Sequence, residues 1–399
     1  MTASPNGLYG LPTAEPEEVG LSRPALTRIS EAMAREIAAG RAAGVSMLVA
    51  RHGRVAYAER FGLLKPGGPP MPSDAIFRIY SMTKPIVCVA AMTLIEEGKL
   101  LLADPVAKYL PAFTEMKVGV ERDGALELVP AKRPITIHDL MRHTSGLTYG
   151  FGGNSAVQRI VADADIINLS KPTAEQINRL AALPLAHQPG EAWEYGLSTD
   201  VLGHVLEVMS GKRLSEFLAE RVLRPLDMVD TAFFTPPAKR DRLAEPLSNE
   251  SLRAGRIDLV DVSEPPAFEM AGSGLVSTIG DYARFLAMVA GGGALDGARV
   301  LGPRTLAYMA SDHLGPETDR RNPFLMPGHG YGLGVAVRVE AGVAPTTGSI
   351  GEYSWGGVSG VAFWVSPRDA LFAIVMTQAP DHYLYFRQVF RNMVNAAVL

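Results

Sequence analysis

Ser81-Met82-Thr83-Lys84 places a hydroxyl and an amine three residues apart, just ahead of the apolar run Ile86 to Ile95. Residues three apart on a helix are neighbours, so a helix through this run puts Ser81 and Lys84 on one face. A serine hydroxyl becomes a competent nucleophile when an adjacent base takes its proton. A lysine is such a base when its surroundings keep the amine neutral. The spacing is short, and its ordinary alternative is an N-cap serine followed by a surface lysine. Pro85 sharpens the reading. It lacks an N–H and belongs in the first turn of a helix, which places Ser81 at or just before the helix start. There the unpaired N–H groups and the positive end of the macrodipole favour an oxyanion. The run beyond is apolar nearly all round, with Cys88 inside it, and predicts a buried helix ending at Gly98.

Two further segments carry groups that complement a serine nucleophile. Tyr195 lies between a Pro-Gly turn and a helix start, in Pro-Gly-Glu-Ala-Trp-Glu-Tyr-Gly-Leu-Ser-Thr-Asp over residues 189–200. A phenol beside a lysine ammonium can accept a proton; a packed aromatic with a capping hydroxyl is the plainer alternative. Residues 348–361 are glycine-rich, contain Trp355-Gly356-Gly357 and run into a strand. An edge strand here offers a backbone N–H to an oxyanion, and Trp355 an apolar wall. A glycine bulge with a packed tryptophan is the alternative.

The elements that must position these groups follow from pattern. Residues 1–20 read as an extended arm and 22–38 as an amphipathic helix with Leu26, Ile29, Met33 and Ile37 on one side. Strands at 45–50 and 55–61 flank a His52-Gly53-Arg54 turn. From the buried helix at 86–97 to about residue 270 the patterns are mostly helices and loops, with helices at 136–142, 201–209 and 214–222. A helix within 274–290 is capped by Ser277 or Thr278; strands follow at 332–339, 360–365 and 370–377, then a helix at 383–398. Strands at both ends with helices between them predict an α+β fold: one antiparallel sheet flanked by helices, with a mainly helical second lobe. The expected division is 1–75 with 275–399 for the sheet, and 76–274 for the helical part, with the active site between them.

Composition limits the partners. The 399 residues are 47% hydrophobic and 20% charged with a net charge of −4, an ordinary globular balance without the basic footprint of nucleic-acid binding. No apolar run is long enough to span a membrane, and the polar N-terminal stretch does not read as a secretory signal. A cytoplasmic location is expected. The single cysteine excludes an internal disulfide. No His-Glu-x-x-His, Cys/His cluster or phosphate-binding glycine loop appears, so neither a metal nor another cofactor is expected. G-x-S-x-G is absent: Gly357-Val358-Ser359-Gly360 misses it by one residue. His143 and His204 show no triad context, and Glu96-Glu97 reads as a solvated helix end. Nothing in the sequence speaks to oligomeric state.

Ser81-Met82-Thr83-Lys84, Tyr195 and Trp355-Gly356-Gly357, in that order, resemble the three elements of serine hydrolases of the class C β-lactamase and penicillin-binding-protein superfamily. The similarity extends from about Glu17 to Leu399 through Leu140-Met141-Arg142-His143-Thr144-Ser145-Gly146-Leu147, Gly272-Ser273-Gly274-Leu275 and Tyr331-Gly332-Leu333-Gly334. Within the superfamily the chain is most similar to the family VIII carboxylesterases. β-Lactamases of this class carry Tyr-x-Asn where Leu197 stands here, and Lys-Thr-Gly where Trp355-Gly356-Gly357 stands. The missing amide and cation would hold a β-lactam, so the departures fit neutral esters. The resemblance implies Ser81 as nucleophile and Lys84 with Tyr195 as the proton-handling pair, either being the nearer base. It also implies the backbone N–H groups of Ser81 and Val358 as the oxyanion hole, and Tyr149, Trp355, Gly356 and Gly357 as substrate contacts. Asp200 is expected to position the Tyr195 segment, and the loop from Gly150 to Pro184 to cover the pocket. The implied activity is hydrolysis of small-molecule esters with short to medium acyl chains. A β-lactamase or D,D-peptidase, an acyltransferase and a non-catalytic binding protein of the same fold are the alternatives.

Overall fold

The computed structural model describes residues 7–151, 153–247 and 259–399. Helix α1 (Arg23–Ala38) leads into a hairpin of β1 (Gly44–Arg51) and β2 (Arg54–Gly62), turned through His52 and Gly53 at φ 52° and 73°. β3 (Ile76–Arg78) and α2 (Thr83–Glu96) then leave the hairpin. A second hairpin, β4 (Lys117–Arg122) and β5 (Ala125–Pro130), precedes α3 (Ile137–Met141), α4 (Ala156–Asp163), α5 (Thr173–Ala181), α6 (Ser198–Ser210) and α7 (Leu214–Leu218). The chain returns through β6 (Val276–Thr278), α8 (Ile279–Ala290), the short pair β7 (Ala294–Leu295) and β8 (Ala298–Arg299), and α9 (Pro303–Met309). It ends in β9 (His329–Tyr331), β10 (Ala336–Arg338), β11 (Tyr353–Gly356), β12 (Ala362–Ser366), β13 (Leu371–Thr377) and α10 (Tyr383–Asn395).

Seven of these strands form one antiparallel sheet in the order β2-β1-β13-β12-β11-β10-β9. β1 therefore pairs with the last strand, Val45 opposite Thr377. Alternation along β13 serves two cores. Leu371, Ala373 and Val375 pack with Leu26, Ile29 and Met33 of α1 and Phe386, Phe390 and Val394 of α10. Phe372, Ile374 and Met376 face the opposite core, which is continuous with α2, α6 and α8. Fully burying a side chain of this size contributes about 1.5–3 kcal/mol, so both faces of the sheet are strongly held. The last residues also meet the segment that leads into α1: Ser22 N–H donates to Ala397 O at 2.8 Å and Leu399 N–H to Gly20 O at 3.0 Å. β3 pairs with β6, Ile76 opposite Thr278, so the strands before α2 and before α8 lie side by side.

The α+β architecture matches the sequence pattern, with differences that have local causes. The expected strand at 332–339 shortens to β10, because Gly332 and Gly334 lie in the turn that reverses the chain from β9, which precedes the expected span. Gly334 has φ 88°, and a Cβ there would meet Cys88 Sγ at 2.8 Å. β11 is not an edge strand, since β10 covers it at Tyr353 and Ser354; Trp355 onward is unpaired on that side. The β4–β5 hairpin turns through Asp123 and Gly124, φ 51° and 80°, inside a stretch expected to be helices and loops. α7 stops at Leu218 and continues as a wider turn over Ala219–Leu223. Glu96 is exposed, yet it accepts from Gly302 N–H at 2.8 Å and from Thr305, capping α9. Of the expected arm, residues 1–6 lie outside the described residues. Its later part runs along β2, with Val55 N–H donating to Pro12 O at 2.8 Å.

Candidate active site

Ser81 lies in a tight turn, Tyr80–Met82, immediately before α2. Its side chain caps no helix; the N-cap position of α2 is Met82. Tyr80 sits at φ 43°, an unusual conformation for a residue with a Cβ. It is held there from both sides: Ile79 N–H donates to Leu275 O at 3.0 Å, and Val260 N–H to Tyr80 OH at 2.9 Å. The strained residue turns the chain at Ser81, which keeps 9% of its surface exposed.

Lys84, one turn on, has no exposed surface. Its Nζ donates to Ser81 Oγ at 3.1 Å, Tyr149 OH at 3.1 Å and Gly272 O at 2.7 Å. Three acceptors match the three N–H bonds of an ammonium. The same nitrogen lies 4.6 Å from the Tyr195 ring centroid and 5.4 Å from that of Tyr149. Lys84 is thus fully engaged with the polar cluster rather than lying on the surface.

Tyr195 OH and Ser81 Oγ are hydrogen-bonded at 2.6 Å, and Trp355 Nε1 donates to the same phenol oxygen at 3.3 Å. Rings hold Tyr195 on several sides: Trp193 stacked at 5.7 Å, His143 at 5.0 Å, Phe324 at 5.3 Å and Trp355 at 5.4 Å. His143 is buried with neither ring nitrogen bonded, and its pKa lies well below the usual value because of burial and the nearby Lys84 charge. It is a neutral packing residue here. His204 is paired instead with Glu207 on α6, Nδ1 to Oε2 2.9 Å.

The structure brings together Ser81, Lys84, Tyr195, Tyr149 and Trp355. Tyr149 does more than line a wall, since its hydroxyl accepts from Lys84. Burial, then the Asp200 charge, hold that phenol well above its ordinary pKa, so it stays protonated at neutral pH. Its ring stacks on Phe151 at 5.0 Å, and Phe151 meets Phe324 at 5.9 Å, extending an aromatic rim. Part of the expected covering loop is helical, α4 and α5, and α4 sits over β4. Gly357 lies against the chain just before the serine: a Cβ there would be 2.5 Å from Ile79 O and 2.9 Å from Tyr80 Cβ. The turn that follows closes with Gly360 N–H donating to Gly357 O at 3.1 Å and Ser359 Oγ to Arg78 O at 2.8 Å. Gly356 is packed on the other side by Arg387 and Val361. The two glycines are therefore required by protein packing.

Asp200 does not hold the Tyr195 segment. Its Oδ1 accepts from Gly272 N–H at 2.9 Å, and Gly272 O in turn receives the Lys84 bond. Burial raises its pKa to about 6 against the lowering effect of Lys84 and the Gly272 bond. Gly272 has no room for a side chain: a Cβ would be 2.6 Å from Asp200 Oδ2 and 2.8 Å from Tyr149 OH. In the sequence this glycine stands out only as part of a short motif; its packing role exists only in the tertiary structure. Cys88 is free and buried, its thiol pushed up to about 12 mainly by burial. Among the described residues there is no group of three or more His, Cys, Asp or Glu able to hold a metal, and no helix is long and apolar enough to cross a membrane.

An antiparallel sheet beside a buried serine–lysine–tyrosine cluster defines a protein of β-lactamase-like fold. The Beta-lactamase family matches residues 29–397, and the chain belongs to that family. Esterase EstB of Burkholderia gladioli is 34% identical over 358 residues, 84% of this chain and 86% of the esterase. Protein Rv1367c of Mycobacterium tuberculosis is 36% identical over 325 residues, 79% of this chain and 80% of its own length. Among solved structures, EstCE1, described as a hydrolase with promiscuous acyltransferase activity, aligns with a TM-score of 0.78 and 28% identity over 94% of this chain and 98% of its own. The family thus includes an esterase similar to this chain over most of its length.

Proposed function

We propose that this protein is a carboxylic ester hydrolase of the family VIII type, acting on neutral esters with short to medium acyl chains through an acyl-Ser81 intermediate. One observation carries the reading: Ser81 Oγ lies within hydrogen-bond reach of both Tyr195 OH, 2.6 Å, and Lys84 Nζ, 3.1 Å. The shorter contact, with Lys84 already donating to three acceptors, supports Tyr195, acting in its phenolate form, as the group that takes the proton. Ser81 Oγ then bonds to the ester carbonyl carbon. The carbonyl oxygen becomes an oxyanion facing the N–H groups of Ser81 and Val358, and the C–O bond to the alcohol breaks as Tyr195 returns the proton to the departing oxygen. Water, deprotonated along the same route, cleaves acyl-Ser81 to the acid.

The preference for neutral esters rests on what stands where a carboxylate would need binding. Leu197 is buried and Trp355 uses its one donor on Tyr195. The similarity to EstCE1 favours a second reading in which an alcohol replaces water as acyl acceptor. The test is a p-nitrophenyl ester series run beside nitrocefin and with added alcohols. Turnover falling with acyl length, little nitrocefin hydrolysis, fluorophosphonate labelling of Ser81 and loss of turnover in Ser81→Ala are expected. Lys84→Ala and Tyr195→Phe should each lose several decades. Undiminished hydrolysis by Ser81→Ala would sink the proposal.

A further inference from the structure

Arg387 enters the site from behind the sheet. It projects from the second turn of α10, is half-buried, and donates from Nη2 to Gly357 O. Its guanidinium lies 4.9 Å from the centroid of Tyr383, one turn earlier on the same helix. Its path crosses β11 at Gly356, where a Cβ would be 2.5 Å from Arg387 Cζ and 2.6 Å from Nη2. No side chain at 356 coexists with the arginine as placed. This accounts physically for glycine at a position where the Lys-Thr-Gly pattern has threonine.

The carbonyl that Arg387 holds belongs to the same peptide unit as Val358 N–H. A trans peptide is planar, its C=O and N–H pointing in opposite directions, so whatever anchors the oxygen aims the hydrogen. Gly357 O has two lone pairs. Gly360 N–H takes one within the turn, at 3.1 Å, and Arg387 takes the other. Val358 N–H itself has no partner among the described residues. We propose that Arg387 is the positioning residue of the oxyanion hole, orienting and polarising the 357–358 peptide so that Val358 N–H meets the developing oxyanion. The inference rests on the esterase reading above, and adds to it a residue on α10 that acts through the 357–358 peptide. A cation on the carbonyl oxygen draws electron density from the peptide and makes its N–H a stronger donor. Burial lowers the Arg387 pKa to about 10, Tyr383 and Tyr195 acting the other way, so the charge is present at neutral pH.

Removing an oxyanion donor outright costs about a hundred- to a thousandfold. Loosening one that remains present should cost less: about ten- to a hundredfold in kcat for Arg387→Ala, with KM within about threefold. The deciding readout is affinity for a boronic acid that adds to Ser81 and places an oxygen in the hole. It should fall by the same factor as kcat, which a merely structural role would not produce. Arg387→Gln, which keeps a donor without the charge, should fall between wild type and Arg387→Ala. Gly356→Ala should reproduce the loss by displacing the guanidinium, and the double variant should lose no more than Arg387→Ala alone. If Arg387→Ala does not fold, Arg387→Gln and Gly356→Ala carry the same decision. Boronate affinity and kcat within threefold of wild type in these variants, with Ser81 still labelled by a fluorophosphonate, would overturn this inference and leave the esterase reading standing. Failure of Ser81 to label in the wild type would overturn both.

Discussion

Asp200→Asn should make the protein more stable at neutral pH and reveal what the site costs. Asp200 is buried at the start of α6, with Oδ1 on Gly272 N–H and Oδ2 without a partner. Burial raises its pKa from 3.8 to about 6. Each tenfold gain in proton affinity corresponds to about 1.36 kcal/mol, so a gain of roughly a hundredfold amounts to about 3 kcal/mol. The sign follows from proton binding. Below about pH 3.8 the carboxyl is protonated in both states and nothing is lost. As pH rises towards about 6 the unfolded chain ionises first, and the folded state loses stability; above about 6 the loss is complete. Asparagine cannot ionise and keeps an oxygen for Gly272. Urea unfolding of both proteins from pH 4 to 8 should therefore show Asp200→Asn more stable by about 2–3 kcal/mol at pH 8, with the gap closing near pH 4. Asp281, also raised to about 6 by burial, is common to both and cancels from the difference. Asp200→Ala releases Gly272 and with it the carbonyl on Lys84, so ester turnover should fall further in that variant than in Asp200→Asn. A gap that is absent at pH 8, or unchanged at pH 4, would refute the reasoning.

Tyr149→Phe removes one of the three acceptors around Lys84 Nζ while leaving the ring stacked on Phe151. A hydrogen bond to a charged group contributes about 1.5–3 kcal/mol, so kcat should fall about ten- to a hundredfold, as read by stopped-flow or steady-state ester hydrolysis; unchanged kcat would remove Tyr149 from the proton network. Glu352 is buried between Arg338, 2.7 Å away, and Arg391. Glu352→Gln leaves two buried cations without a counter-charge, and denaturant unfolding should show a loss of about 3–5 kcal/mol.

What was legible in the sequence was what is local. Ser81 and Lys84 belong to one helical turn, and Pro85 marks where that turn starts, so their spacing carried their juxtaposition. Tyr195 and Trp355 stood out by type and by short motifs around them. Asp200 was singled out but with the wrong partner, Gly272 only within a short motif and Arg387 not at all, because each acts through a backbone group brought from a distant segment, and no spacing encodes that. Gly356 carried a partial signal: a glycine in a strand marks a close approach, but the approaching group is named only by the fold. Elsewhere the limits were of pattern. Asp123-Gly124 between alternating Val118, Val120 and Leu126, Leu128 is a strong hairpin signal, masked by the helical patterns around it. In 332–339 the alternation persisted through Gly332 and Gly334, where the backbone reverses.

The pairing of β1 with β13 ties the chemistry to the order in which the chain is made. A ribosome delivers the N-terminal hairpin and the whole Ser81, Lys84 and Tyr195 set before the strands that β1 needs as neighbours, and chains fold from the N-terminus as they emerge. Until β11 to β13 and α10 follow, the nascent protein holds an unpaired edge on β1 and apolar surface that α10 later covers. Contacts this distant in sequence form slowly. A chain stopped just before α10 would carry its nucleophile and all seven sheet strands and still present the apolar face that α10 covers, so translational stalling near the end should yield a client for chaperones.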